Sequence, residues 1–180
     1  MIAANTLAGA TTPEQILRVP RELIQTRSYL GFSFQDVADQ VGIRKASLYH
    51  HFPTKEALGI EVLREASQAF KDWTAAKPRA PEAALESYFR MYRNGLHAGA
   101  GVCPAGALAP GWDCIHEGLG GAVGHLRKTH ILWLGGVFGA LMPAGEVGAS
   151  AAYVFAACQG ALLSARMTGQ VEDFDEAIEQ

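Results

Sequence analysis

Apolar residues recur at intervals of three and four along most of the chain, which is the period of an amphipathic α-helix. The clearest stripe contains Leu58, Val62, Ala66, Phe70 and Trp73, and it predicts a long helix that begins just after residue 54. Comparable stripes predict further helices over about residues 12–28, 33–41, 44–51, 81–97, 118–141 and 147–168, with shorter ones near 103–108 and 171–179. Because strand signals do not recur, the pattern predicts an all-α protein of about nine helices.

Helix-capping residues support several of these starts. Ser33, three residues before an aspartate, and Thr54, just before the long stripe, carry side chains that accept hydrogen bonds at a helix N-terminus. Thr12 precedes Pro13 in the same way at the first predicted helix. Pro20 lies inside that helix, where a proline ring costs about 3 kcal/mol. We therefore expect the first helix either to be kinked in its early part or to begin later.

Composition favours a compact protein. The 180 residues are 49% hydrophobic and carry a net charge of −3, which indicates one domain, or one domain with a small appended module. The longest apolar run, residues 131–144, is interrupted by glycines and is shorter than the roughly 18 to 20 residues of a membrane span. Residues 1–12 lack the positive start of a secretory signal. We expect a cytoplasmic protein with no membrane partner.

The sequence offers little for metal, redox or catalytic chemistry. Cys103, Cys114 and Cys158 are too widely spaced for a Cys-x-x-Cys zinc site and leave one thiol over in any disulfide pairing. Cys114 begins a Cys-Ile-His-Glu run, but no Pro-Cys-x-x-Cys follows to complete a zinc deaminase site. Neither a nucleophile–base pair nor a glycine-rich phosphate loop is evident. The prediction is a protein with no metal and no cofactor that is not an enzyme.

One basic window stands out from the mildly acidic chain. Residues 40–55 contain no acid but hold Arg44, Lys45, Lys55, His50 and His51. Because phosphate attraction depends on nearby charge more than on the total, such a window can bind a polyanion. The alternative is a solvated charged face with no partner.

Residues 33–56 have the layout of a helix-turn-helix: a short capped helix, a turn with a glycine, and a second helix with basic and hydroxyl side chains at its beginning. In that motif the first helix braces the second, which enters the major groove of DNA with its N-terminal residues. We expect Arg44 and Lys45 to donate to guanine, and the small Ala46 to permit close approach. Donors to phosphate would be Ser47, Tyr49, His50, Thr54 and Lys55, whereas Leu48 and Phe52 would pack in the core.

Residues 31–58 resemble the DNA-binding domain of TetR-family transcriptional regulators. The Asp-Val-Ala, Val-Gly-Ile, Leu-Tyr-His-His-Phe and Lys-Glu-Ala-Leu runs occur in the family's order, and with the first helix the likeness covers about a third of the chain. It implies a DNA-binding domain at 1–57 and an all-helical effector-binding and dimerisation domain at 58–180. It also implies phosphate contacts for Ser33, Ser47, Tyr49, His50, Thr54 and Lys55, and groove contacts for Arg44, Lys45 and Ala46. Two departures are Arg44, where the family often has a serine or threonine cap, and Pro20.

The second half carries candidate lining residues for a pocket. Aromatic, sulfur and amide side chains lie on several predicted helices or near their ends, namely Tyr88, Met91, Tyr92, Cys103, Trp112, Trp133, Phe138, Phe155 and Gln159. Together with the family resemblance they predict a site for a small apolar or aromatic effector. The alternative is that these residues simply fill the core.

Cys103 supports a second kind of switch. It begins a predicted short helix, and a helix N-terminus lowers the pKa of a thiol and raises its reactivity. By resemblance to regulators that sense electrophiles or oxidants, the alternative function is a regulator switched by modification of Cys103. An inert buried thiol is the other reading.

DNA geometry predicts a homodimer. A single recognition helix reads too few base pairs for useful specificity, so we expect two copies on a palindromic operator. The small residues along 147–168 allow close helix packing in a four-helix interface, completed by the end of the 118–141 helix or by the short last helix. The expected protein is a repressor that a small-molecule effector releases through movement of the helix after Thr54. The alternatives are an architectural DNA binder without a pocket and an enzyme with an accessory DNA-binding head.

Overall fold

The computed structural model describes residues 13–76, 80–99 and 102–179. Within these ranges the chain is helical and has no strand, which confirms the all-α prediction. The α-helices are α1 (Pro13–Arg27), α2 (Phe34–Val41), α3 (Lys45–His51), α4 (Lys55–Ala75), α5 (Pro81–His97), α6 (Glu117–Phe138), α7 (Ala144–Thr168) and α8 (Glu172–Ile178). Two 3-10 segments, Tyr29–Gly31 and Gly106–Cys114, connect them.

Local capping explains the starts of α2 and α4. The Ser33 hydroxyl accepts from the backbone N–H of Asp36, whose carboxylate accepts from the backbone N–H of Ser33, so a complete capping box is present. Thr54 Oγ1 accepts from the Ala57 N–H at 3.0 Å. Gly42, with φ of +79°, ends α2 in the left-handed conformation that glycine adopts without strain. The predicted cap at Thr12 lies outside the described residues.

Pro20 does not delay the first helix. α1 begins at Pro13 and continues through Pro20 to Arg27, so the expectation of a later start is wrong. The side chains of Ile16, Leu23 and Ile24 are almost completely buried, and this burial offsets the cost of a proline inside a helix.

The short helix predicted near residues 103–108 has different bounds in the structure. The 3-10 segment begins at Gly106, after a turn in which the Ala107 N–H donates to the Cys103 carbonyl at 2.9 Å. It continues past Pro110 to Cys114 with a break at Gly111. Short 3-10 turns are common connectors, and this one carries the chain from α5 to α6 beside α1.

Two apolar cores stabilise the molecule, and α4 contributes to both. The first joins α1, α2, α3 and the start of α4 to the Gly106–Cys114 segment and α6, with Leu48, Leu58 and Leu108 fully or almost fully buried. The second joins the end of α4 to α5, α6, α7 and α8 around Tyr88 and Phe174. α4 runs across the boundary after residue 57, and the division into domains 1–57 and 58–180 stays a prediction.

α7 is unusual because it is apolar yet largely uncovered. By length and composition alone it could span a membrane, although a core helix passes the same test, and only 28% of its most apolar window is buried. Tyr153 and Met167 are about three-quarters exposed, at 74% and 75%, and Leu163 is half exposed. One side of α7 packs on α6 and α8, and another side faces outward.

Candidate nucleic-acid interface and ligand cavity

α3 is fixed by its buried side and presents the rest of its surface. Leu48 is completely buried in the first core and holds the helix in place. The other predicted contact residues on or just before this helix are exposed, namely Arg44, Lys45, Ala46, Ser47, Tyr49 and His50. The structure therefore brings these six side chains together on one accessible helix.

The Gly42 turn and an aromatic contact set the angle between α2 and α3. The Ile43 N–H donates to the Ala38 carbonyl at 3.0 Å, which closes the turn. The Tyr49 ring packs against the Phe34 ring of α2 with centroids 4.8 Å apart. Lys45 Nζ lies 5.9 Å from the Tyr49 ring centroid, so the cation and the phenol share one exposed patch.

Arg44 occupies the cap position of α3 without capping it. Its side chain makes no capping hydrogen bond, and the first turn is closed by its carbonyl, which accepts from the Ser47 N–H at 2.9 Å. Because the guanidinium is not used for the cap and is exposed, the departure from the usual serine or threonine leaves an additional cation beside the helix.

The flanking residues Ser33, Thr54 and Lys55 have structural partners of their own. Ser33 and Thr54 are exposed but cap α2 and α4. Lys55 is half-buried, donates from Nζ to the Phe32 carbonyl and lies 4.2 Å over the Phe32 ring and 4.7 Å over the Tyr29 ring. Burial lowers the pKa of this ammonium, and the nearby Asp36 carboxylate opposes that shift. Lys55 therefore faces inward, unlike the cations of α3.

A cavity of about 390 Å³ lies where α1 meets the second half of the chain. It is lined from α1, α4, α5, α6, α7 and residues 102–104, mainly by apolar side chains such as Phe70, Trp73, Leu126 and Leu162. Of the predicted lining residues, Met91, Tyr92 and Cys103 are on its wall.

The remaining predicted lining residues lie elsewhere. Tyr88, Trp133, Phe138 and Phe155 pack in or against the second core. Trp112 is half exposed, away from both cores.

Gln159 lines a second cavity of about 310 Å³ between α1, α7 and the Gly106–Cys114 segment. Its Nε2 donates to the Tyr92 hydroxyl at 3.3 Å. Gln25 and Val102 line both cavities, and Gln25 Nε2 donates to the Val102 carbonyl at 3.1 Å.

His130 also lines the first cavity, although the sequence did not predict it there. Its ring stacks on Phe70 with centroids 3.6 Å apart, and it is only 5% exposed. Burial lowers its pKa to about 4, so the imidazole is neutral near pH 7. The available signal was its position four residues after Leu126 and four before Leu134, which places a polar side chain in an apolar stripe.

Cys103 does not have the lowered pKa that was expected of it. Backbone hydrogen bonds from Ala105 and Gly106, and a side-chain hydrogen bond with Gln159, favour its thiolate, but burial outweighs them and raises the pKa. Cys158 is buried, and its pKa is raised to about 12. Within the described ranges no three His, Cys, Asp or Glu side chains are grouped closely enough to hold a metal ion.

Known proteins share parts of this sequence and this architecture. Residues 16–62 match the family model described as bacterial regulatory proteins, tetR family. Over 64 residues the chain is 36% identical to the HTH-type transcriptional repressor KstR2 of Mycolicibacterium smegmatis. The matched segment covers 36% of this chain and 29% of that protein. The match therefore spans less than a third of the curated repressor.

Solved structures extend the likeness over almost the whole chain. A transcriptional regulator of the TetR family from Agrobacterium tumefaciens superposes with a TM-score of 0.85 at 26% identity, covering 92% of this chain and 93% of that one. A TetR transcriptional regulator from Legionella pneumophila superposes with a TM-score of 0.83 at 24% identity, covering 98% and 95%. The fold of the second half is thus shared, although the detailed sequence match is concentrated in the first half.

Proposed function

The chain belongs to the TetR family of transcriptional regulators, and on this premise we propose that it is a repressor that binds a palindromic operator as a homodimer and is released by a small molecule. Its relatives are regulators, and it is not an enzyme. We propose that it works in the cytoplasm, at its DNA operator. No cofactor is needed for this function.

One observation carries the proposal: α3 is anchored by the buried Leu48 while six candidate contact residues around it are exposed. A helix of this kind fits the major groove, where Arg44 and Lys45 reach guanine acceptors. The absence of acids from residues 40–55 of the sequence lowers repulsion from the phosphates. In this proposal Ser47, Tyr49 and His50, which are exposed, donate to the backbone of the duplex.

The exposed side of α7 supports the homodimer. Tyr153, Leu163 and Met167 lie on a helix that also carries many alanines and glycines, which allow close helix approach. An exposed apolar surface of this kind is typical of a protein interface. A second copy packed on α7 would bury these side chains and set the spacing of the two α3 helices for successive major grooves.

The first cavity supports release by an effector. Its wall includes Arg21 and Gln25 of α1 together with Phe70 and Trp73 of α4, so a ligand there would contact both helices that hold the DNA-binding half. An effector that prefers one arrangement of α1 and α4 shifts the population toward it. A coupling free energy of about 1 to 3 kcal/mol between two sites is typical of allosteric proteins.

Selection from a pool of random duplexes tests the function directly. The purified chain should enrich a two-fold symmetric sequence whose half-sites lie about one helical turn apart, and the variant Tyr49→Phe combined with Lys45→Ala should bind it more weakly. Enrichment of unrelated sequences, with equal affinity for all duplexes, would contradict the proposal.

A further inference from the structure

The wall of the first cavity is mainly apolar, and its few polar side chains in the described ranges include one cation and no acid. Of the described residues that line it, Arg21 is the one charged at neutral pH, because burial keeps His130 neutral. No aspartate or glutamate is among these lining residues. Once the Arg21 guanidinium is separated from its ion-pair partner Glu65, this cation and the aromatic and aliphatic side chains around it are complementary to an apolar molecule with a negative group.

Arg21 is held by one partner that a ligand can replace. Its Nη2 pairs with the Glu65 carboxylate, and this contact joins α1 to α4. The two side chains are 33% and 30% exposed, so the pair lies between the interior and the solvent. Arg21 Nε is buried without a hydrogen-bond partner among the described residues, which leaves a guanidinium donor unsatisfied.

We propose that the effector is an organic anion with an apolar body in the first cavity, and that its negative group takes the place of Glu65 at Arg21. This rests on the proposed effector function of the same cavity. A carboxylate matches the planar donor fork of a guanidinium in two parallel hydrogen bonds. Phe70, Trp73 and Leu162 of the cavity wall surround the apolar body.

The exchange at Arg21 gives a physical reason for release from DNA. Glu65 binds Arg21 only when α1 and α4 are correctly placed. A ligand anion at Arg21 breaks this ion pair, while the apolar body of the ligand packs on Phe70 and Trp73 of α4. The ligand therefore favours arrangements of α1 and α4 in which the Arg21–Glu65 pair is not formed, which is the differential affinity that any effector requires.

Calorimetric titration with three probes of equal chain length tests the charge preference. All three probes contain eight carbon atoms and differ in the charge of the head group. Octanoate and octanamide carry the same heptyl tail, and octylammonium carries an octyl tail. The wild-type chain should bind octanoate at least about tenfold more tightly than octanamide, since a charge-assisted pair is roughly twice as strong as a neutral one. Octylammonium should bind most weakly.

Two substitutions separate the roles of the ion pair. Arg21→Met should remove the preference for octanoate, whereas Glu65→Gln, which frees the guanidinium from its competitor, should increase octanoate affinity and leave octanamide unchanged. Arg18→Met is the matched control, because Arg18 lies on the same helix in an exposed pair with Glu22, and it should change neither affinity. Glu65→Gln keeps the test valid if Arg21→Met is poorly folded.

The outcomes distinguish this inference from the function on which it rests. Equal binding of octanoate and octanamide, or weaker octanoate binding by Glu65→Gln, would overturn the anion assignment while leaving a ligand-binding cavity. Absence of binding by all three probes to the wild-type chain would overturn both the anion assignment and the effector cavity.

Discussion

His130 Nδ1 lies 3.0 Å from the hydroxyl oxygen of Tyr88, in the middle of an apolar core. The Tyr88 hydroxyl lies 3.1 Å from that of Tyr92, which in turn accepts from Gln159 Nε2. This chain of polar groups joins α6 to α5 and α7 beside the cavity. Buried polar groups are costly unless they are hydrogen-bonded, so the network selects one arrangement of the three helices.

The stability of the protein should therefore fall in mild acid because of His130. Burial lowers the pKa of its imidazole from 6.5 to about 4, so the unfolded chain binds a proton at a pH where the folded chain does not. The contribution of His130 to the free energy of unfolding is constant above about pH 6.5 and declines as the pH falls toward 4, where the loss reaches about 3 kcal/mol. Denaturant unfolding between pH 4.5 and pH 7.5 measures the slope.

A glutamine at this position separates His130 from the carboxylates that also titrate in acid. His130→Gln should unfold with a shallower pH dependence over this range, whatever its stability at pH 7. His125→Gln, on an exposed turn of the same helix, is the control and should keep the wild-type slope. If His130→Gln keeps that slope as well, the buried imidazole is not the source of the acid sensitivity.

The DNA-binding half could be read from the sequence because its signals are local. Ser33, Gly42 and Thr54 specify where helices begin and end within a few residues, and the alternation of buried Leu48 with exposed neighbours follows from helical periodicity. What the local pattern did not show is that the Lys55 side chain turns back onto Phe32. That orientation depends on the packing of the Tyr29–Gly31 segment against the start of α4.

The cavity was harder to predict because its wall is assembled from distant segments. Met91, Tyr92 and Cys103 were expected on it, but Arg21 and His130 were not. Arg21 belongs to a helix that the sequence assigns to the DNA-binding half. Which side of an aromatic residue faces a void depends on how the helices cross, and helical periodicity alone does not give that angle.

The two lysines of the helix-turn-helix should differ in what they contribute to DNA binding and to stability. Lys45 is exposed on α3, so Lys45→Ala should weaken operator binding and reduce the salt slope by about one unit, with little change in stability. Lys55 is bound to the Phe32 carbonyl and two rings, so Lys55→Met should cost about 1 to 2 kcal/mol of stability. Its effect on the salt slope should be smaller.

Fluorescence anisotropy on the selected operator at several salt concentrations, together with denaturant unfolding, measures both effects. A salt slope reduced as much by Lys55→Met as by Lys45→Ala would show that Lys55 leaves Phe32 and reaches a phosphate in the complex.

Arg166 should stabilise the position of α1 from the end of α7. It donates from Nη1 to the Gln25 carbonyl at 2.7 Å and from Nη2 to the Thr26 carbonyl. These carbonyls lie in the last turn of α1, where a cation also complements the helix dipole. Arg166→Ala should lower stability by about 0.5 to 1 kcal/mol and weaken operator binding, because α1 is less restrained.

Arg90→Ala is the comparison for this change. Arg90 forms an exposed pair with Glu86 on the same helix at 3.3 Å, so its loss should alter stability very little and operator affinity not at all. Equal operator affinities for the two variants would argue against a restraint of α1 by α7.

The exposed side of α7 should hold two copies together. Tyr153 and Met167 lie four turns apart on this helix and are the two most exposed of the large apolar side chains in the described ranges. Replacing both by aspartate places two like charges from each copy in the proposed interface, where burial of an unpaired charge is strongly unfavourable. Tyr153→Asp with Met167→Asp should therefore convert the dimer to a monomer in sedimentation equilibrium, with unchanged helix content by circular dichroism.

Trp112→Asp, which changes an exposed aromatic outside α7, should leave the dimer intact. Because a monomer presents a single α3, operator affinity of the double variant should fall by orders of magnitude while nonspecific binding is largely kept. A double variant that still sediments as a dimer would exclude this side of α7 as the interface and with it the spacing proposed for the two recognition helices.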